Sequence, residues 1–342
     1  MLLVSSLLCS CGAAGPRNVL VVMNVNSPDS VSVGKYYASK RGIPAKLICK
    51  IDCPTDEQIK QEVFEKSIRD PIRKFMSDAG LKDRIDYIVL TKGIPIRAYN
   101  SKSDEHWGVD SALTCLFSKQ NAQMENPYFG ERKRFSHKEY GMYLVTRLDG
   151  LTLADAKALV DRSMAAKPSK GLFLLDIDPG WDQSPGYKIV NDGMRRAELA
   201  LKARGMRVEM NATGDSVVRD GLMGYYSWGG NDRKYTDEAF HKLRFLPGSI
   251  AETAMSTSAF TLTSNRTLKG KRSYIVDMVA QGVTGVKGYV YEPYTDALCD
   301  AETLFDRYTS GYNLAESFYA ASRYVHWRDI VLGDPLCAPY RE

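Results

Sequence analysis

Histidine is scarce in this chain. Only His106, His137, His241 and His326 occur in 342 residues, and no two stand at a spacing that grips a metal ion. His326, beside Trp327, reads as a packed core imidazole. Cysteine is also thin as a framework. If Cys9 and Cys11 are set aside, Cys49, Cys53, Cys115, Cys299 and Cys337 remain, an odd number. Cys49 and Cys53 have neither a second pair nor a nearby His, so buried thiols are the default and a local disulfide the alternative. No turn carries Gly-Lys-Ser/Thr and no G-x-G-x-x-G follows a strand, which excludes the usual phosphate loops. Gly285-Val286-Lys287-Gly288 lies inside a strand and marks close backbone packing. Neither a metal nor a cofactor is expected.

Charge of one sign is not concentrated either. Lys and Arg number 46 against 41 Asp and Glu, a net charge of +5 that is too mild and dispersed to imply a nucleic-acid partner. The densest basic stretch, Arg132, Lys133, Arg134 and Lys138, reads as a solvated loop rather than an anion patch. No apolar run approaches the ~20 residues that cross a bilayer, so no transmembrane span is expected. A shorter run, Met1–Leu8, precedes Cys9, Ser10, Cys11, Gly12, Ala13 and Ala14. It has the apolar and small-residue regions of a secretory signal, without the positive n-region. Leu8-Cys9-Ser10-Cys11 also loosely matches a lipobox, with Cys11 as the lipid-bearing residue. Export is therefore expected, to periplasm, envelope or medium; a buried leading strand is the alternative.

What is present is an alternation of apolar and amphipathic stretches. Asn18–Asn24, Ala45–Ile51 and Ile85–Thr91 read as strands, the first and third buried on both faces. Ser30–Arg41 reads as a helix between the first two. Thr55 with Gln58 reads as a capping box opening a second helix to about Ala79, kinked at Pro71. Ala98–Tyr140 is polar and irregular, too long for an idle connection, and reads as functional or as a flap. Met142–Arg147 is a strand, and Thr152 with Asp155 caps a helix to Ala166. The pattern resumes with strands at Leu172–Asp176, Met206–Met210, Leu222–Asp232, Ser249–Phe260 and Gly285–Tyr291. Helices are expected at Tyr187–Arg204, Lys271–Gln281 and Ala301–Arg323, the last split at Gly311. This order predicts an α/β protein with doubly wound, mostly parallel sheets in two lobes. Residues 1–15 form the leader, 16–167 the first lobe and 168–342 the second, with Lys167-Pro168-Ser169 as the boundary.

Ligands of parallel α/β sheets sit at the C-terminal strand ends, which directs attention to two small-residue turns. One carries Ser227, Trp228, Gly229, Gly230, Asn231 and Asp232; the other carries Glu252, Met255, Ser256, Thr257 and Ser258. Gly224-Tyr225-Tyr226-Ser227-Trp228-Gly229 has one residue too many before Ser227 for a nucleophile elbow, and loop rather than helix follows. Asp176 and Asp178 close a strand where a divalent metal is conceivable, but Pro179-Gly180 after them equally suits a solvated turn.

The order of motifs is more specific than any one of them. It includes Val21-Val22-Met23-Asn24 with Ser27 and Ser30; Tyr36-Tyr37 with Arg41-Gly42; Thr91-Lys92-Gly93-Ile94-Pro95; and Val109-Asp110-Ser111. Thr146-Arg147-Leu148-Asp149-Gly150, Tyr226-Ser227-Trp228-Gly229, Tyr291-Glu292-Pro293-Tyr294 and Gly333-Asp334-Pro335-Leu336 follow. On these residues the chain resembles, nearly end to end, an uncharacterised exported bacterial family associated with exosortase-type protein sorting. More remotely its layout is similar to gingipain-type, caspase-like cysteine peptidases. That resemblance puts Trp228 at the position of the catalytic His and Ser256, or Met255, at that of the Cys. Indole takes no proton, and loss of the general base alone costs on the order of 10²–10⁴ in rate.

Two readings follow. In the first, a pseudo-peptidase binds a peptide or glycan in cell-envelope sorting or exopolysaccharide work, with Trp228, Asn231, Glu252, Ser258 and Tyr294 around the pocket and Arg147, Asp149 and Asp110 reaching in from the first lobe. In the second, a hydrolase with a rebuilt site uses Ser256 as nucleophile, or Asp232 and Glu292 as acid and base. Each residue also has a structural alternative: Arg147–Asp149 as an inter-lobe ion pair, and Glu292 and Asp334 as turn-holders on backbone N–H groups.

Overall fold

The computed structural model describes residues 14–118, 123–213 and 215–341. The leader and lipobox, through Cys11, lie outside the described residues. Ten strands make one sheet: β1 (Val19–Asn24), β2 (Ile48–Ile51), β3 (Tyr87–Thr91), β4 (Leu144–Leu148), β5 (Leu172–Asp176), β6 (Val208–Asn211), β7 (Leu222–Ser227), β8 (Phe245–Thr253), β9 (Gly285–Tyr289) and β10 (Asp329–Gly333). Their order across the sheet is β6-β5-β7-β8-β9-β10-β4-β3-β1-β2. Every residue of β1, β3, β4, β5, β7 and β9 is buried, as strands covered on both faces require. The α/β, doubly wound, mostly parallel class expected from the sequence is the class observed.

All neighbouring strands are parallel except β9 and β10. That single reversal decides where chemistry can gather. β10 runs against β9 but alongside β4, pairing Leu332 with Arg147. The strands of the first half therefore point opposite to those of the second. The C-terminal ends of β1, β3 and β4 open on one edge of the sheet, and those of β5 to β9 on the other. Each half repeats one winding: β2-β1-β3-β4 in the first, β6-β5-β7-β8-β9 in the second. The expected boundary at Lys167-Pro168-Ser169 falls in the link from the Leu153–Ala165 helix to β5.

The seam of the two halves is held by Asp334, which is fully buried just after β10. It accepts from Tyr37 Oη at 2.7 Å, Arg41 Nε at 2.7 Å, Ser163 Oγ at 2.7 Å and Leu336 N at 3.0 Å. Helices Pro28–Arg41 and Leu153–Ala165 thereby converge on one carboxylate. The first of these is capped by Ser27 and ends at Gly42, whose φ of 65° is the left-handed conformation that glycine adopts without penalty.

Several segments differ from expectation. Gln58–Lys60 is a strand, not helix, because it pairs with Arg97–Asn100; Glu105–Gly108 completes a small three-stranded sheet. The helix begins only at Gln61, and Glu65–Arg69 winds as a π-helix just before Pro71. The wider turn accommodates a proline ring that would otherwise clash with a carbonyl four residues back. Ala98–Tyr140 is not irregular: besides those strands it holds the Val109–Thr114 and His137–Tyr140 helices. The expected Lys271–Gln281 helix is confined to Ile275–Ala280. Cys49 and Cys53 are free and buried, and burial pushes both thiols up to about 12. The small sheet is tied across the second half's edge: Glu57 Oε1 accepts from Leu262 N at 2.6 Å, and Gly108 N donates to Trp327 O at 2.7 Å.

Candidate functional site

The turns after β7 and β8 stand side by side at the C-terminal edge of the second half, where a ligand crevice would open. They are stitched together instead. Ala254 N donates to Ser227 O at 2.7 Å, and Asn231 Nδ2 donates to Ala254 O at 2.8 Å. Ser273 closes over them, its Oγ accepting from Gly230 N at 3.2 Å. Gly229 has φ 54°, and a Cβ there would lie 2.0 Å from Ser273 Oγ, so only glycine fits beneath that cover.

Trp228 does not present a platform to this edge. It is 2% exposed, its Nε1 donates to Asn191 Oδ1 at 2.7 Å, and its ring stacks on Trp181 at 5.3 Å. Ser256 is half-buried, and among the described residues no histidine or carboxylate bonds to its hydroxyl. The next residue, Thr257, has φ 58°, a strained conformation for a β-branched side chain. Arg272 Nη1 steadies it through a 2.8 Å bond to Thr257 Oγ1. Ser258 is buried and accepts from Tyr289 N at 3.3 Å.

The carboxylates are likewise committed. Asp232 is 8% exposed and accepts from Lys234 N at 2.7 Å, a turn-holding bond. Glu252 is fully buried, with Oε1 accepting from Tyr289 Oη at 2.5 Å and Cys299 N at 3.0 Å. Glu292 is exposed, and what it contributes is its backbone carbonyl, which accepts from Arg328. Asp232 lines a small cavity with Asp176 and Tyr225, and Glu292 is not among its walls. Asp178 is gripped by Arg233, Nε to Oδ2 at 2.9 Å and Nη2 to Oδ1 at 2.5 Å. Burial alone would raise its pKa, but Arg233 and two backbone N–H groups outweigh that and hold it below the usual range. Asp176 is pushed up to about 7, chiefly by burial and further by Asp232 and Asp178, against the Asn211 amide that favours its charge. No group of metal-binding residues forms among the described residues.

Arg147, Asp110 and Asp149 do not reach this edge. Arg147 is fully buried within the first half, its Nη2 donating to Asp110 Oδ2 at 2.6 Å and to Pro95 O at 2.9 Å, and its Nη1 to Ile94 O at 2.6 Å. Asp149 follows β4 at the opposite edge and accepts from Lys92 Nζ at 3.1 Å. The pair expected to bridge two lobes thus lies within the first half of the sheet, and the reversed strand direction is the reason. The seam pair is Arg41–Asp334.

Open space lies instead at the small sheet. Two adjoining cavities, about 500 and about 410 Å³, share Glu105, Trp107 and His326 as walls. They sit where the small sheet meets the segment leading into β10. Of the expected ligand residues only Tyr294 lines this space; it is 63% exposed, with its ring 5.0 Å from that of Trp327. His326, expected in the core, is a half-buried cavity wall with φ 57°. Trp107, Trp327 and Arg328 were missed. The available signal was an indole in the long polar segment and another beside a histidine.

No family profile matches the chain, and no curated protein matches it. Among solved structures it is similar to one described as a protease, at 13% identity over 96% of this chain and 79% of that one, with a TM-score of 0.52. A looser likeness covers 56% of this chain and 14% of Saccharomyces cerevisiae separase, solved with securin, at 10% identity and a TM-score of 0.37. At such identities the first likeness is one of fold. The chain has a mostly parallel α/β fold of the kind that protease has.

Proposed function

We propose that this chain is a non-catalytic member of the caspase-like fold, binding a peptide or glycan segment at the cell envelope. The observation that supports this reading is the closed dyad region. Trp228 is turned inward to Asn191, Asn231 bridges to the next turn, and among the described residues the Ser256 hydroxyl has no base bonded to it. A serine nucleophile needs a partner within hydrogen-bond reach to take its proton. A rebuilt acid–base pair needs two carboxylates facing one space, whereas Asp232 holds a turn and Glu292 stands apart from it. The sorting or exopolysaccharide setting, and export itself, rest on the resemblance and on the Met1–Cys11 segment.

Incubation with a fluorophosphonate probe tests the central claim. Wild type should stay unlabelled. Labelling that disappears in Ser256→Ala would establish a working nucleophile and sink the non-catalytic reading.

A further inference from the structure

The paired cavities have a chemistry of their own. We propose that they bind a short neutral oligosaccharide, an assignment that rests on the binding reading above and gives it a site and a ligand class. Among the described residues no aliphatic side chain lines the smaller cavity. Its walls are rings and hydrogen-bonding heads: Trp107, Trp327 and Tyr294 beside Gln123, Glu105 and Arg328. A pyranose has the complementary form, with apolar C–H faces that lie against indole and phenol rings and a hydroxyl rim that meets amide, carboxylate and guanidinium groups. Among the described residues neither indole N–H has a protein acceptor. That leaves two donors for sugar oxygens, where a partly buried tryptophan ordinarily finds a partner.

Charge narrows the ligand further. Over the two spaces together the charged walls among the described residues are Glu65 and Glu105 against Arg69, Arg73 and Arg328, one cation in excess. A single excess cation is too weak a field to hold a polyuronate chain, whose charge repeats from ring to ring. A peptide is the poorer fit. Its apolar side chains would meet aliphatic walls only at Ala112 and Leu116 of the larger cavity, and main-chain addition needs an open strand edge. The Glu105–Gly108 strand is already engaged on that side: Gly108 N donates to Trp327 O at 2.7 Å, and Arg328 Nε to His106 O at 3.3 Å. The larger cavity takes Glu65 and Arg69 from the π-helical turn, a geometry frequent at functional sites. Together the two spaces have the volume of an ordinary small-ligand site, with room for more than one ring.

The test is an array of neutral glucose-, mannose-, galactose- and N-acetylhexosamine-based oligosaccharides, followed by calorimetry with those retained. Wild type should retain at least one. Trp327→Ala and Trp107→Ala should each weaken it by about tenfold or more, as loss of an aromatic anchor does. Tyr294→Ala, an exposed site with little bearing on folding, should weaken it about threefold with an unchanged melting temperature. Retention of no neutral sugar, or only of uronates or members of a decapeptide library, would overturn the assignment. So would equal binding by all three variants. Reducing ends are measured in the same incubation. Cleavage of a retained sugar would remove the non-catalytic reading and leave the cavity assignment standing. Absence of both retention and cleavage would do the reverse.

Discussion

The two halves of the sheet share one winding, yet they close their crevices with different chemistry. In the first half the gap between the ends of β1 and β3 is filled by neutral groups. Asn24 Nδ2 donates to Gly93 O at 2.9 Å, Ser30 Oγ and Thr91 Oγ1 meet at 2.6 Å, and Thr91 Oγ1 reaches Val22 O at 2.9 Å. In the second half the gap between β5 and β7 holds Asp176, with Asp178 and Asp232 close by, and the cavity left there is only about 20 Å³. Strand order alone makes both positions natural ligand crevices. Both are plugged, one with groups that never titrate and the other with a carboxylate poised near neutrality. Topology marks where a site can form, and the side chains placed there decide whether it does.

The largest effect expected is in the first half, where charge is sealed in. Arg147→Met leaves Asp110 buried without its cation. Loss of one partner of such a pair costs about 3–5 kcal/mol. Urea unfolding of the variant should show this as a large drop in midpoint with an unchanged slope. A loss under about 1 kcal/mol would mean that Arg147 is not a structural cation, and would reopen its reading as a ligand group.

That outcome bears on what the sequence could say. The quoted motifs were legible as special residues, but most mark hydrogen-bond hubs rather than chemistry. Tyr37, Arg41 and Asp334 meet at the seam. Asn24, Ser30 and Thr91 plug a crevice, and Asp110, Pro95 and Arg147 form one buried knot. A hub and a site look alike in a linear chain, since both gather polar residues on strand ends. The strands of β1 to β9 were readable from their apolar runs. β10 was not, because Ile330-Val331-Leu332 is too short a run to stand out. Missing it hid the reversal that sends Arg147 and Asp149 away from the second half's edge. The aromatic cavity was illegible because Trp107 and Trp327 are 220 positions apart and meet only through the small sheet.

The second effect is smaller and depends on pH. Asp176 binds its proton more tightly in the fold, at about 7, than in the unfolded chain, near 4. Between those values the folded form holds a proton that the unfolded form has lost. The stability it supplies is therefore fully present below about pH 4 and is lost as pH rises through 7. Asp176→Asn keeps an acceptor for the Asn211 amide and removes that titration. The variant should gain on wild type by an amount on the order of 2–4 kcal/mol from pH 5 to pH 8. Parallel urea midpoints for both proteins across that range would show that Asp176 does not titrate there.

The smallest effect tests the neutral plug. Ser30→Ala removes one hydroxyl from a fully buried group of three, leaving Asn24 N and Thr91 Oγ1 each short of one partner. Removing one side of a buried neutral hydrogen bond costs about 1–3 kcal/mol, and Thr91 keeps its bond to Val22 O, which places this loss at the low end. Serine and threonine hydroxyls carry no proton equilibrium in this range, so the cost should be the same at pH 5 and pH 8. A cost that changed with pH would mean that the first crevice is coupled to a titrating group, and the contrast between the two plugs would fail.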